Sequence, residues 1–171
     1  SAGPAGRIWP PGRIQSRHQP QARASIVQAG YPTNLVVRTV RLRTYIVEDN
    51  ATIRENLIST LEELACIQAT GCAETEDDGK QWLTGNPEGW DLAIIDLFLK
   101  QGSGLGVLAA CRARPSGQKL VVLSNYATPD IRARCASLGA DAVFDKSNEI
   151  DALVDYCIQQ AAGGVPAQPR A

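Results

Sequence analysis

The stretch "WDLAIIDLFLK", residues 90–100, decides the fold of this chain. Four consecutive apolar residues, Leu92 to Ile95, indicate a strand that is buried on both faces. Such strands belong to parallel sheets with helices on both sides. The apolar run stops on a carboxylate, Asp96, and then resumes. The stretch therefore predicts a parallel α/β sheet with an acidic group held at one edge.

The same alternation of short apolar runs and amphipathic stretches continues from residue 41 to the end of the last helical pattern. The runs predicted as strands are "TYIVED", "CIQATGCA", "DLAIID", "KLVVLSN" and "DAVFD". A helical stretch follows each of them, so we predict a doubly wound, five-stranded parallel sheet in a three-layer α/β/α domain. The first helix is predicted to begin after the N-cap Asn50, with an apolar face of Ile53, Leu57, Leu61 and Leu64.

The composition limits the class of protein. With 171 residues, 44% of them hydrophobic, and a formal net charge of -1, the chain suits one globular domain. No apolar run is long enough to span a bilayer and no secretory signal is recognisable, so a cytoplasmic location is predicted. The five cysteines show no C-x-x-C pattern and lie mostly in apolar segments, which indicates reduced, buried thiols and no zinc site.

The first forty residues have a different character from the rest. They are rich in arginine, proline and glycine, and no acidic residue occurs before Glu48. We interpret residues 1–40 as a poorly ordered or non-native tail, residues 41–162 as the domain, and 163–171 as a flexible end. A basic arm that binds nucleic acid is the less favoured alternative. A start codon read at Val40 would place the tail outside the natural protein.

Five polar residues follow the predicted strands at their carboxyl ends: Glu48, Asp49, Asp96, Ser124 and Lys146. Ligands of doubly wound parallel sheets bind outside these ends. Three carboxylates at one edge repel one another unless a cation lies among them, and oxygen ligands in an incomplete cage suit Mg²⁺. A lysine and a hydroxyl at the same point would hold an oxyanion. The set predicts a site for a phosphoryl group.

Four segments, "VEDN", "LAIIDLFLKQGSGL", "VVLSNYA" and "GADAVFDKS", resemble the motifs of the receiver domain of two-component response regulators. The resemblance covers about residues 43–160 and implies a flavodoxin-like fold with strand order 2-1-3-4-5. It also implies that Asp96 is the phosphoacceptor and takes a phosphoryl group from a sensor histidine kinase. Lys146 would pair with the phosphoryl oxygens, and Ser124 would reorient to hydrogen-bond the attached group.

The resemblance further implies a cofactor and partners. Mg²⁺ would be bound by Asp49, Asp96 and the backbone carbonyl of Phe98, with Glu48 acting through a water. The protein would not be an enzyme beyond weak self-phosphorylation and self-dephosphorylation. A downstream protein target would bind the surface of the fourth helix, fifth strand and fifth helix. Membrane binding is not expected, nucleic acid is disfavoured as a partner, and a homodimer is left open.

Several positions depart from the family pattern. Val143 stands where a switch aromatic is usual, and the aromatic has moved to Phe144, which by strand alternation faces the other way. Ser147 and Lys100 each replace an expected proline. The residues that carry the usual coupling between the hydroxyl residue and the aromatic therefore differ here. Two large residues, Phe98 and Tyr126, follow Asp96 and Ser124 at a distance of two positions and are predicted to shield an acyl phosphate from water.

Other functions remain as alternatives. The chain has one histidine, His18, and it lies in the tail, which argues against a Ser/His/Asp triad. An aspartyl phosphatase also uses a strand-end acid and Mg²⁺, but usually with the acid on the first strand. We favour a stand-alone receiver that acts by protein contact. A receiver-like interaction module that is not phosphorylated and the N-terminal receiver of a longer DNA-binding regulator stay open. The stretch "GSGLG" is interpreted as a flexible lead into a helix and not as a nucleotide loop.

Overall fold

The computed structural model describes residues 41–163, which form a parallel sheet of five strands with five helices. The elements, in chain order, are β1 Leu42–Val47, α1 Ala51–Leu64, β2 Ile67–Ala73, α2 Glu76–Gly85, β3 Leu92–Ile95, α3 Gly104–Ala110, β4 Lys119–Ser124, α4 Pro129–Ser137, β5 Ala142–Asp145 and α5 Ile150–Ala161. The strand order β2-β1-β3-β4-β5 confirms the predicted flavodoxin-like sheet. Residues 1–40, with His18, and residues 164–171 lie outside the described residues.

The sheet separates two apolar cores, and alternate residues of its central strands enter opposite cores. Ile94 packs with residues of α1 and α5, whereas Ile95 packs with residues of α2, α3 and α4. All four residues of β3 are buried, which explains why this strand is a continuous apolar run. Burying an aliphatic side chain of this size stabilises the fold by about 1.5–3 kcal/mol. In the described part of the chain, no helix has the length and hydropathy needed to cross a membrane.

Helix α1 begins as predicted but presents a different face to the core. The side chain of Asn50 caps the helix by accepting a hydrogen bond from the backbone N–H of Ile53 at 3.1 Å. The prediction that Ile53 and Leu64 face the core is wrong, since their exposed fractions are 39% and 56%. The buried residues of α1 are Arg54, Leu57, Ile58 and Leu61. The buried face of α1 is therefore rotated from the predicted apolar face and includes Arg54, whose side chain is hydrogen-bonded to polar partners described below.

The cysteines agree with the prediction of free thiols. Cys111, Cys135 and Cys157 are buried, Cys66 and Cys72 are half-buried, and all five carry free thiols. Burial raises the pKa of the Cys157 thiol to about 12. This thiol is therefore protonated at neutral pH and behaves as a small apolar group.

Backbone hydrogen bonds hold the carboxyl ends of neighbouring strands in register. The N–H of Asp96 donates to the carbonyl of Val47 at 2.9 Å, and the N–H of Lys146 donates to the carbonyl of Ser124 at 3.0 Å. These two bonds extend the parallel ladder one residue beyond β3 and β5. As a result, side chains that leave the ends of β1, β3, β4 and β5 meet at one edge of the sheet.

Candidate functional site

Three carboxylates meet at the carboxyl edge of the sheet. Glu48, Asp49 and Asp96 each offer an oxygen, and these oxygens lie within 4.8 Å of one another. Glu48 and Asp96 are buried, with exposed fractions of 3% and 7%, whereas Asp49 is half-buried. The donor set consists of hard oxygen ligands, and Asp49 is partly accessible to solvent, so the set suits a hard cation such as Mg²⁺.

Lys146 supplies the positive charge of this cluster. Its Nζ atom lies 2.6 Å from Glu48 Oε2 and 2.7 Å from Asp96 Oδ2, and its side chain is 10% exposed. Burial by itself would lower the pKa of Lys146, but the hydrogen bonds that its ammonium donates to Asp96 and Glu48 outweigh burial, and the pKa lies above its ordinary value. The ammonium group is therefore charged and holds β5 against β1 and β3. Sequence reasoning placed Lys146 at this edge but did not foresee its bond to Glu48.

Ser124 ends β4 and Phe98 lies two positions after Asp96, and each takes part in a hydrogen bond of the loop that follows its strand. The Ser124 hydroxyl is fully buried and accepts a hydrogen bond from the backbone N–H of Tyr126 at 3.2 Å. The backbone N–H of Phe98 donates to Asp96 Oδ1 at 3.2 Å. The rings of Phe98 and Tyr126 meet edge to face with centroids 5.1 Å apart. An aromatic contact thus joins the loop after Asp96 to the loop after Ser124.

The stretch "GSGLG", residues 102–106, leads into α3 as predicted, and its backbone lies close to neighbouring segments. A Cβ atom on Gly104 would lie 2.9 Å from the carbonyl carbon of Asp96 and nearer still to its oxygen. Gly102 has a φ of +82°, which favours glycine. The carboxylate of Glu76 accepts a hydrogen bond from the N–H of Ser103 at 2.7 Å. Because Gly104 has no side chain, the start of α3 can pack directly against the backbone of Asp96.

Arg54 supports the site and was missed by sequence reasoning. Its Nη1 donates to the carbonyl of Glu48 at 2.7 Å, and its Nη2 donates to Glu74 Oε1 at 3.1 Å. The side chain is buried, so these bonds hold the end of β1 next to the start of α1. The signal was present, because Arg54 precedes Leu57 by three residues and Leu61 by seven, a spacing that places it on the buried face.

Val143 and Phe144 lie on opposite sides of the sheet, as strand alternation predicts. Val143 packs against the core beneath α2, α3 and α4, and Phe144 packs against the core beneath α1 and α5. The ring of Phe144 meets that of Tyr156 with centroids 5.8 Å apart. The aromatic ring of β5 is therefore on the side of the sheet away from α4.

Residues 44–157 match the response regulator receiver domain, and the chain belongs to this family of two-component response regulators. Members of the family are signalling phosphoacceptors that bind Mg²⁺ at an acidic cluster and interact with histidine kinases and downstream targets. A 68-residue segment is 34% identical to the acid tolerance regulatory protein ActR of Rhizobium meliloti (strain 1021). It covers 40% of this chain and 35% of ActR, so the match spans about a third of that relative.

Solved structures share the fold. The signal receiver domain of NarL from Mycobacterium tuberculosis aligns with a TM-score of 0.63 and 20% identity, over 72% of this chain and 98% of that one. A response regulator from Burkholderia pseudomallei, solved with a phosphorylated aspartic acid and a calcium ion, aligns with a TM-score of 0.57 and 21% identity. That alignment covers 71% of this chain and 69% of the other. At these identities the likeness establishes the fold alone.

Proposed function

We propose that this chain is a phosphoryl-accepting switch whose acceptor is Asp96. The observation that carries the proposal is the position of the Lys146 ammonium, which bonds both Asp96 and Glu48 inside the acidic cluster. In the reaction, a carboxylate oxygen of Asp96 attacks the phosphorus of a phosphohistidine on a sensor kinase. The P–N bond breaks as the O–P bond forms, and the departing imidazole takes up a proton. The Lys146 ammonium then faces the transferred phosphoryl oxygens.

The acidic cluster would hold Mg²⁺ through Asp49, Asp96 and the backbone carbonyl of Phe98, with Glu48 acting through a water. When bound, the ion would neutralise the charge that develops on the transferring oxygens. One oxygen of Asp49 already accepts a hydrogen bond from the N–H of Lys100 at 2.9 Å, which orients this carboxylate. Arg54 donates a hydrogen bond to the backbone carbonyl of Glu48, and this bond keeps the Glu48 side chain at the cluster.

Phosphorylation would be read out at a distance from Asp96. An acyl phosphate adds about 1.5 to 2 negative charges and three acceptor oxygens. We propose that the Ser124 hydroxyl leaves the N–H of Tyr126 and donates to the phosphoryl group. The loop before α4 would then shift and change the surface of α4, β5 and α5 that a downstream protein binds. We further propose that the protein is cytoplasmic and that residues 41–162 form its receiver domain.

The test of this function is phosphorylation by acetyl phosphate with and without Mg²⁺, followed by intact mass. We expect a Mg²⁺-dependent adduct of one phosphoryl group that hydroxylamine removes, as it does from acyl phosphates. Asp96→Ala should abolish the adduct. Asp77→Ala is the matched control, because this acid of α2 is almost fully exposed, and it should label like the wild type. An adduct that persists in Asp96→Ala would contradict the assignment, and no adduct in the wild type would favour an interaction module that is not phosphorylated.

The lifetime of the phosphorylated form provides a second prediction. Phe98 and Tyr126 form an aromatic pair across the loops that follow Asp96 and Ser124. Phe98→Asn removes one ring and supplies a polar group that can hold water, so we expect phosphoryl loss to become several-fold faster. The measurement is the decay of the adduct by intact mass after acetyl phosphate is removed. Equal or slower decay in Phe98→Asn would contradict the shielding role.

A further inference from the structure

One arginine joins three separate segments next to the site. Arg132, near the start of α4, uses every nitrogen of its guanidinium group. Its Nε donates to the carbonyl of Ala127 at 2.9 Å, and its Nη1 donates to the carbonyl of Val143 at 2.6 Å. Its Nη2 donates to Glu149 Oε2 at 2.7 Å. The planar guanidinium thus fixes the loop before α4, strand β5 and the start of α5 relative to one another.

Glu149 extends this link to the residue before Lys146. The same oxygen that binds Arg132 also accepts a hydrogen bond from the backbone N–H of Asp145 at 2.6 Å. Glu149 occupies the N-cap position of α5 but makes no side-chain capping bond, so its carboxylate serves β5 and α4 instead. The hydrogen bond from Arg132 holds the pKa of Glu149 below its usual range, so the carboxylate is ionised at neutral pH. The end of β5 is therefore tied to α4 through two ionic hydrogen-bonding groups.

The other end of the link reaches the loop that begins at Ser124. Ala127 follows Tyr126, whose N–H donates to the Ser124 hydroxyl. A change in the bonding of Ser124 acts directly on this short loop and on the carbonyl that Arg132 holds. The Val143 side chain is small and lies in the core beneath α4, while the Phe144 ring lies on the far face. In the described structure, the Arg132 guanidinium is the polar group that bridges α4 to the main chain of β5.

We propose that Arg132 is the positioning residue that couples the loop after Ser124 to the junction of β5 and α5. This inference rests on the proposed phosphorylation of Asp96. When the carbonyl of Ala127 moves, the guanidinium that is hydrogen-bonded to it moves as well. The carbonyl of Val143 and the carboxylate of Glu149, which accept hydrogen bonds from the same guanidinium, are then displaced. Arg132 thereby couples the two segments through hydrogen bonds to their main chains.

The experiment separates phosphorylation from its readout. Intact mass measures the adduct, and hydrogen exchange by mass spectrometry measures peptides covering residues 142–151, with acetyl phosphate and Mg²⁺ present or absent throughout labelling. In Arg132→Ala we expect a wild-type amount of adduct. The phosphorylation-dependent change in exchange at 142–151 should fall by about fivefold or more, the lower bound of ordinary allosteric coupling. The matched control is Arg134→Ala, an exposed arginine two positions along the same helix, which should keep the full change.

A second variant guards against misfolding. Arg132→Lys keeps the positive charge but presents a single nitrogen, which cannot hold three acceptors on three segments. We therefore expect the same loss of response from Arg132→Lys. Adduct in all variants with an undiminished exchange response in Arg132→Ala and Arg132→Lys would overturn the role of Arg132. Absence of adduct in the wild type would overturn the proposed function and, with it, this inference.

Discussion

Replacing Lys146 by methionine is expected to destabilise the protein by about 3–5 kcal/mol in Mg²⁺-free buffer, the usual cost of removing one partner from a buried ion pair. The variant leaves two buried carboxylates, Glu48 and Asp96, without the ammonium that lies within 2.7 Å of both. Methionine is unbranched and of similar length, so loss of packing contributes little. The measurement is the free energy of unfolding in urea.

Mg²⁺ should increase the free energy of unfolding of Lys146→Met by more than it increases that of the wild type. The added cation compensates for the repulsion that the missing ammonium leaves behind, and binding to the folded state alone raises stability by mass action. Lys119→Met is the matched control, because Lys119 lies at the opposite end of the sheet and its nearest acid, Asp141, is 4.0 Å away. We expect this control to change stability by less than about 1 kcal/mol. Equal Mg²⁺ responses in Lys146→Met and the wild type would contradict this compensation, and no Mg²⁺ response in either protein would contradict a cation site at the acidic cluster.

Gly104→Ala is expected to destabilise the fold by about 3 kcal/mol, the upper part of the range for overpacked positions. The added methyl group would meet the main chain of Asp96, and a backbone carbonyl cannot rotate away as a side chain can. Relief requires the start of α3 to move, which disturbs the bond from the Gly104 N–H to the carbonyl of Leu97 at 3.0 Å. Thermal and urea unfolding measure the loss of stability.

Gly117→Ala is the matched control for this second prediction. A Cβ atom on Gly117 meets nothing within 4 Å, and its φ lies outside the left-handed region. We expect this variant to be as stable as the wild type or slightly more stable, since alanine restricts the unfolded chain. If Gly104→Ala were as stable as Gly117→Ala, the close approach of α3 to Asp96 would be ruled out as a determinant of the fold.

Local patterns in the sequence determined the architecture. Continuous apolar runs such as 92–95 are long enough to mark buried parallel strands, and Asn50 marks a helix start because its capping bond reaches only three residues along the chain. The strand ends then placed Glu48, Asp96 and Lys146 at one edge, since parallel strands share a direction. These inferences needed only short-range geometry, whereas the strand order 2-1-3-4-5 was implied by the family resemblance and confirmed by the sheet.

The tertiary structure alone decided which of these groups touch. Lys146 bonds Glu48 across 98 positions of sequence, and nothing local to either residue specifies that partner. The contact of α3 with Asp96 depends on where a helix packs, and so do the burial of Arg54 and the three acceptors of Arg132. Periodicity reports which face of an element is apolar, but the hydrogen-bond partners of a buried polar group are set by elements that meet only after the chain has folded.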